Sequence, residues 1–328
     1  MTDFKTEIAV IIVNYGTAGL ALDAVASVLG QPGGGRRTEV HLVDNASPNG
    51  DGERLPAAIA TRGWQDRVTL HLSTENRGFG CGNNIALEAL ARREIPPDKV
   101  FLLNPDARLD NDAISHLAAF LDAHPKAGAV GAALADADGQ PAAAAFRFPS
   151  IAGEFAEAVN FGPVSRLLGR WRIPMAPDLP GGRVDWVTGA AVMFRFDALR
   201  QTGFFDPGFF LYYEEVELIR RLARAGWSCW HLPEARVVHI EGAATELRGD
   251  EIGLRRRPSY WYESRRLYSY RAHGRLGAIV NGCMVILGAA CNHAISRLRG
   301  RRAWLPAQFI SDTWRIVLRP LLGGWKPR

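Results

Sequence analysis

"VFLLNPDARLD", residues 100–110, is the stretch on which the fold is read. Val100 to Leu103 form an apolar run of the kind a buried strand needs, and the run stops on Asn104-Pro105-Asp106. Pro105 has no N–H for a sheet ladder and pushes Asn104 toward an extended conformation. The strand therefore ends there, with Asp106 just beyond its carboxyl end. An acid in that place is commonly a turn residue or a helix cap. The functional alternative is that it holds a cation or a nucleotide, because hard cations take carboxylate oxygens together with substrate phosphates.

Working outward, "EIAVIIVNY" (7–15), "EVHLVDN" (39–45), "RVTLHLS" (67–73) and "AGAVGAAL" (127–134) read as further strands. Between them lie helical patterns over 19–29, 83–93 and 110–125, the last with Asp110 or Asn111 as N-cap and Pro125 past its end. Strands alternating with helices predict right-handed βαβ units and an α/β fold with a mostly parallel sheet. Such sheets bind ligands beyond the carboxyl ends of their strands, where Asp44-Asn45 and Asn104-Pro105-Asp106 both fall. Residues 151–183, rich in Pro, Gly and Arg, read as an irregular connection or lid. "VDWVTGAAVMFRF" (184–196) reads as a strand, 212–227 as a helix ending at Gly226, and "CWHL" and "ARVVHI" (235–240) as two short strands.

The chain has 328 residues, 47% of them apolar and 22% charged, enough for one large or two ordinary domains. "MTDFKTEIAV" carries acids at its start and shows no signal-peptide pattern. Cys81, Cys229, Cys283 and Cys291 are far apart and form no CxxC pair, which argues against a zinc ribbon or disulfide framework and for a reducing cytosol. The net charge of +5 hides an asymmetry: residues 1–250 have 24 basic and 31 acidic side chains (−7), residues 251–328 have 15 and 3 (+12). That divides the chain into a body over 1–250, with halves of about 1–135 and 136–250, and a basic tail over 251–328.

Three segments carry candidate chemistry. "NRGFGCGNN" (76–84) is a glycine-rich loop entering a helix, suited to close approach of a phosphate or sugar. Its spacing is GxGxG and it does not follow the first strand, so a dinucleotide fingerprint is disfavoured. Glu214, Glu215 and Glu217 open the helix in "FFDPGFFLYYEEVELIRRLARAGW" (204–227). Glu217 has Arg221 four residues on, an ordinary helix pair. Glu215 shares the stripe of Leu218, Ile219 and Leu222, and an inward carboxylate is costly unless paired or used, so it is the candidate general base. His239, closing "ARVVHI", reads by position alone as a structural residue.

In order, "VIIVNY", "LVDNAS", "NRGFGCGNN", "LLNPDARL", "FRFPS", "DWVTGAAVMFR", "GFFDPGFFLYYEEVEL" and "VVHIEG" resemble the family 2 glycosyltransferases, inverting enzymes of the Rossmann-like GT-A fold. The nearest-looking subgroup is the rhamnosyltransferase-like enzymes of bacterial cell-surface polysaccharide synthesis. The resemblance implies that Tyr15, Asp44 and Asn45 hold the nucleotide, and that Gly78, Asn83 and Asn84 line the nucleotide-sugar cleft. It implies that Asn104 and Asp106 occupy the place of the family's DxD motif, with Asp106 and His239 on a divalent cation, Mg²⁺ or Mn²⁺. It implies further that Trp186, Gly189, Ala190 and Asp206 lie on the acceptor side and that the Glu214-Glu215 pair supplies the base, Glu215 standing where Asp is usual. The implied donor is a nucleoside-diphosphate sugar, dTDP-rhamnose first and UDP-sugars next, and the implied acceptor a lipid-linked or glycan hydroxyl.

The tail opens with an apolar run, 276–295, interrupted by Asn281 and Asn292, then "SRLRGRR" and a segment mixing Trp304, Phe309, Trp314 and Trp325 with arginines. This pattern fits an anionic membrane surface met peripherally from the cytoplasm, or packing on the body; no nucleic-acid motif accompanies the charge. Two rival readings remain at this level: a non-catalytic nucleotide-sugar-binding scaffold, and a nucleotidyltransferase, whose glycine-rich basic first loop "VIIVNYGT" lacks.

Overall fold

The computed structural model describes residues 7–240 and 254–327. In chain order the elements are β1 (Ile8–Asn14), α1 (Ala18–Leu29), β2 (Thr38–Asp44), α2 (Asp51–Thr61), β3 (Val68–Leu72), α3 (Phe79–Ala91), β4 (Lys99–Leu103), β5 (Ala107–Leu109), α4 (Ala113–Ala123) and β6 (Ala127–Ala135). Then come β7 (Pro141–Ala142), β8 (Ala145–Phe146), α5 (Ile151–Val159), α6 (Gly162–Leu167), β9 (Gly182–Val184), β10 (Trp186–Val187), β11 (Ala191–Arg195), α7 (Phe196–Thr202), α8 (Glu214–Arg224), β12 (Ser228–His239) and α9 (Ser259–Leu298). A helical stretch over 309–322 closes the chain.

Every residue of β1 and β4 is buried, as their continuous apolar runs require of strands covered on both faces. The main sheet runs β3-β2-β1-β4-β11-β6-β12-β5, with β7 on β6 and β9 on β12. β3, β2, β1 and β4 are parallel neighbours, and β11 enters antiparallel between β4 and β6. The order reverses between β1 and β4, which makes their carboxyl ends a topological switch point. One core, with α1 and α4, fills one face of the sheet; a second, with α3, α7, α8 and β10, fills the other.

Several expectations change. α4 starts at Ala113 with Asp112 as its cap; Asp110 instead pairs with Arg236 (2.9 Å), and Asn111 bonds the Glu234 carbonyl (2.7 Å). The 151–183 segment is not irregular: Ser150 caps α5 by accepting from the Gly153 N–H (3.1 Å), and α6 follows. The 184–196 run is split between β9, β10 and β11, whereas the two strands after Gly226 are one, β12, with a register shift between Leu232 and Arg236. The 250/251 boundary and the last two residues of "VVHIEG" lie outside the described residues.

The tail packs on the body. α9 turns sharply at Gly274 (φ 71°, ψ 176°) and lies along α5. Its two asparagines face that contact: Asn281 donates to Glu154 and to Ser269 Oγ (3.1 Å), and Asn292 to the Val159 carbonyl (2.9 Å). Between the helices Arg265 and Glu154 form a fully buried ion pair at 2.9 Å. By length and composition α9 is long and apolar enough to cross a membrane, with 39% of its most apolar window covered by protein.

Candidate active site

The site is assembled at the switch point. At the end of β1, the Asn14 amide reaches Asp44 Oδ1 (2.9 Å) at the end of β2, Ser47 Oγ (3.1 Å) in the loop that follows, and Asp51 Oδ2 (3.0 Å) at the start of α2. Asp51 also accepts from the Ala18 N–H (3.0 Å), tying the start of α1 to the start of α2. Asp44 is 3% exposed; its Oδ1 is taken by Asn14 and the Ser47 hydroxyl, while Oδ2 has only a long bond from the Ser47 N–H (3.3 Å). One acceptor position of Asp44 is thus left for a ligand donor, and Tyr15 beside it is 47% exposed. Asn14, Ser47 and Asp51 were not singled out in the sequence; "DNASPNGD" (44–51), dense in turn-forming polar residues after a strand, carries the signal of Ser47 and Asp51, and the polar end of the apolar run in "VIIVNY" that of Asn14.

The glycine-rich segment is mostly helix. α3 begins at Phe79, so Gly80 and Gly82 sit in its first turn against Phe205 and Val13, where a Cβ would approach to 2.9 and 2.8 Å. Gly78 precedes the helix at φ +94°, and a Cβ there would lie 1.9 Å from the Phe210 carbonyl oxygen. That oxygen accepts from the Phe79 N–H (3.0 Å), so the loop before α3 is stitched to the loop before α8. Asn45 holds the same loop through Asn76 (2.9 Å) and the Gly78 carbonyl (3.2 Å). Asn83 donates to the Phe79 carbonyl (3.0 Å), and Asn84 clasps Phe205 through both backbone groups (2.8 and 3.0 Å). Asp206 bonds the Gly208 N–H (2.9 Å) and pairs with Arg271 (3.0 Å); Trp186 stacks on Phe146 (4.2 Å) and donates to the Arg147 carbonyl (2.9 Å).

Asp106 and His239 do meet. β5 pairs antiparallel with the end of β12, which sets His239 Nε2 3.2 Å from Asp106 Oδ1 and 3.3 Å from Asn104 Nδ2. Asp106 is 6% exposed, and His239 Nδ1 is buried without a partner. One carboxylate and one imidazole, with an amide alongside, leave most of a cation's shell to substrate oxygens and water, and so fit Mg²⁺ or Mn²⁺. Among the described residues no cluster of three or more His, Cys, Asp or Glu side chains makes a closed metal cage.

The turn before β11 joins this pair to the helix carboxylates. The Asn104 N–H donates to the Ala190 carbonyl (2.9 Å), and the preceding residue, Gly189, packs beside the Glu215 side chain, a Cβ built there lying 3.7 Å from Glu215 Cβ. Leu218, Ile219 and Leu222 are buried as the inward stripe requires, but of the three glutamates Glu214 and Glu217 are the buried ones and Glu215 is half-buried. Tyr212 and Tyr213, both left-handed (φ 70° and 69°), lie outside the helix, so α8 starts at Glu214 and not at the expected 212. Glu217 is matched by Arg221 (2.8 Å), which also clamps the carbonyls of Thr202, Gly203 and Phe204. Glu214 and Glu215 each have an Oε2 sealed from solvent with no partner. Burial, and for Glu214 also its neighbour's charge, pushes both carboxyls above the usual range.

A family profile described as "Glycosyltransferase like family 2" matches residues 6–260. The N-acetylglucosaminyl-diphospho-decaprenol L-rhamnosyltransferase of Mycobacterium tuberculosis is 31% identical over 219 residues, which are 64% of this chain and 69% of that one. Among solved structures, a Pyrobaculum calidifontis mannosyltransferase in complex with GDP-Man and Mn²⁺ superposes with a TM-score of 0.54 at 16% identity, over 98% of this chain and 88% of the other. GalNAc-T7 with UDP, GalNAc and Mn²⁺ superposes at 0.57 and 14%, over 98% and 56%. These two likenesses concern the fold, a mostly parallel sheet flanked by helices of the GT-A kind. The chain belongs to glycosyltransferase family 2, as a rhamnosyltransferase-like glycosyltransferase.

Proposed function

We propose that this glycosyltransferase moves a sugar, rhamnose first, from a dTDP- or UDP-sugar to a hydroxyl of a lipid-linked or glycan acceptor, inverting the anomeric centre. The observation that carries the reading is the Gly189-Ala190 turn, where Ala190 bonds Asn104 and Gly189 packs beside Glu215, so that Glu215 and the Asn104–Asp106 segment meet adjacent residues. A base and a leaving-group site held by one short piece of backbone are what an in-line displacement requires. Asp44, with its free acceptor position, takes a ring N–H of the pyrimidine, and Tyr15 covers the base. Asp106 and His239 hold a divalent cation, which when bound supplies Lewis-acid stabilisation of the departing diphosphate. Glu215 accepts the proton of the acceptor hydroxyl as that oxygen bonds to the anomeric carbon. The name of the mycobacterial relative supports a sugar-diphospho-prenol as the acceptor, and the Mn²⁺ bound in both similar structures supports the cation.

A membrane surface suits such an acceptor. Leu276, Val280, Cys283 and Leu287 form an exposed stripe on α9, on the side away from α5, and Arg297, Arg301 and Arg302 follow with half-exposed Trp304 and Trp314. That surface lies against anionic lipid on the cytoplasmic side.

Calorimetric titration with dTDP, UDP, GDP and CDP, each with Mn²⁺, Mg²⁺ or EDTA, tests the donor site. Metal-dependent binding of a pyrimidine diphosphate, lost in Asp106→Ala, is expected. Equal binding in EDTA would remove Asp106 from the metal role, and preference for GDP would overturn the pyrimidine assignment.

A further inference from the structure

The turn that introduces α8 also builds a surface that the catalytic reading leaves unused. Phe210 and Tyr212 are 39% and 37% exposed, only four and two residues before Glu214. Tyr260, in the first turn of α9, lies against both, at ring-centroid distances of 5.4 Å to Phe210 and 6.2 Å to Tyr212, nearly parallel to the latter. Three aromatic rings thus form one partly open patch, contributed by two distant parts of the chain.

The backbone is bent to present it. Tyr212 and Tyr213 are consecutive bulky residues in the left-handed region, a conformation that persists only where the surroundings impose it. The double turn sends the rings opposite ways. Tyr213 goes inward, against Trp261 (6.2 Å) and Tyr268 (5.4 Å) of α9. Tyr212 goes outward onto Tyr260. Ser264 Oγ donates to the Leu211 carbonyl (2.9 Å), so α9 holds the turn from behind while Tyr260 completes its outer surface. At the other edge, the Phe210 carbonyl is the group bonded to Phe79 at the start of α3.

A cation stands beside the patch. Arg257 lies over Trp261 at 4.7 Å and, among the described residues, is in no ion pair. The charges of Arg257, Glu214 and Glu215 all act on the Tyr212 phenol, which burial pushes up; the patch, the cation and the catalytic carboxylates therefore share one neighbourhood. Aromatic faces accept the apolar C–H face of a sugar ring, and an unpaired guanidinium suits phosphate oxygens.

We propose that Phe210, Tyr212 and Tyr260 form the platform on which the acceptor's sugar ring lies, with Arg257 meeting the diphosphate that links this sugar to its lipid. This rests on the reading of the acceptor as a sugar-diphospho-lipid and adds which residues recognise it. α9, most of it beyond the family match, then supplies part of the acceptor site.

The test compares wild type with Tyr212→Asn, Tyr212→Phe, Tyr260→Ala and Arg257→Gln, each checked for an unchanged thermal melt. Asn tolerates the left-handed conformation, so it removes the ring and keeps the turn. The probes are labelled dTDP-rhamnose, N-acetylglucosaminyl diphosphate on a short prenyl alcohol, and the matching N-acetylglucosaminide without diphosphate. Tyr212→Asn and Tyr260→Ala are expected to raise the acceptor KM about threefold to tenfold, the scale of one aromatic contact, with the donor KM unchanged. Tyr212→Phe keeps the wild-type values, and Arg257→Gln raises KM for the diphosphate acceptor alone. Unchanged acceptor KM, or donor and acceptor KM rising together, overturns the proposal; so does weakened vesicle binding at unchanged KM, which would give the patch to the membrane. If wild type transfers to neither acceptor, the substrate reading fails by itself. The platform is then judged by saturation-transfer NMR of the same two probes. A sugar-proton signal present with wild type and absent with Tyr212→Asn upholds it, and no such signal with wild type overturns it.

Discussion

Two carboxyl oxygens, Glu214 Oε2 and Glu215 Oε2, sit out of solvent with no donor to meet them. A folded protein ordinarily satisfies such atoms, and a pair left open at the start of one helix marks a place where a substrate proton is expected. Because burial raises both above the ordinary value of 4.5, the acid limb of kcat/KM should lie above that value. Glu215→Gln should abolish the limb and cost about 100-fold or more in kcat, read in a pH series of rhamnosyl transfer. The stability consequence has the opposite sense. The folded state binds these protons more tightly than the unfolded state, so stability is full below the unfolded value and falls as pH rises above it. Glu214→Gln should therefore melt higher than wild type near neutrality, and the difference should vanish in acid. If Glu214→Gln melts lower at neutral pH, its carboxylate has a native partner.

At the scale of elements, Gly78 couples two of them. With φ at +94° and the Phe210 carbonyl against its α-carbon, Gly78→Ala must part the loop before α3 from the loop before α8. A loss of about 3 kcal/mol or more in chemical denaturation is expected, along with weaker nucleotide binding. Gly19→Ala, inside α1 with open space around it, should instead stabilise by about 0.5–1 kcal/mol. Elements also differ in how much of them the sequence reveals. β1 and β4 are legible because burial on both faces leaves a near-continuous apolar run, β2 because Val40, Leu42 and Val43 outweigh its polar residues, and their polar ends mark the switch point. α5 is hidden because its inward residues include Glu154, whose partner Arg265 is 111 positions away. The start of α8 is hidden for another reason: nothing local in "LYYEEVEL" demands two left-handed tyrosines, and the aromatic side chains packed on them come from α9. The meeting of Asp106 with His239 rests on β5, a three-residue strand too short to show a period.

For the whole molecule, the α5–α9 contact decides whether the C-terminal region is an appendage or a part. Glu154→Leu leaves Arg265 buried and unpaired, and should cost about 3–5 kcal/mol in a single cooperative transition. A separate early transition, with the rest unfolding as in wild type, would show that the helix region melts alone. Flotation with phosphatidylglycerol vesicles tests the outer face of α9: Leu276→Glu with Leu287→Glu should release the protein from the vesicles without changing nucleotide binding. Retention by vesicles of neutral lipid alone would rule out the anionic surface.

β11 lies between β4 and β6 although it follows β6 by more than fifty residues, and the carbonyl just before it holds Asn104. The order of synthesis thereby becomes an order of competence. A growing chain can pair β1 with β2, β3 and β4 early, but the strand that flanks β4 on its other side has not yet been made. His239 emerges later still, and Tyr260 after it. If Tyr260 belongs to the acceptor site as proposed, a chain cut before α9's first turns keeps the strands that end at Asp44 and Asp106 but lacks its acceptor platform, and is expected to transfer sugar poorly.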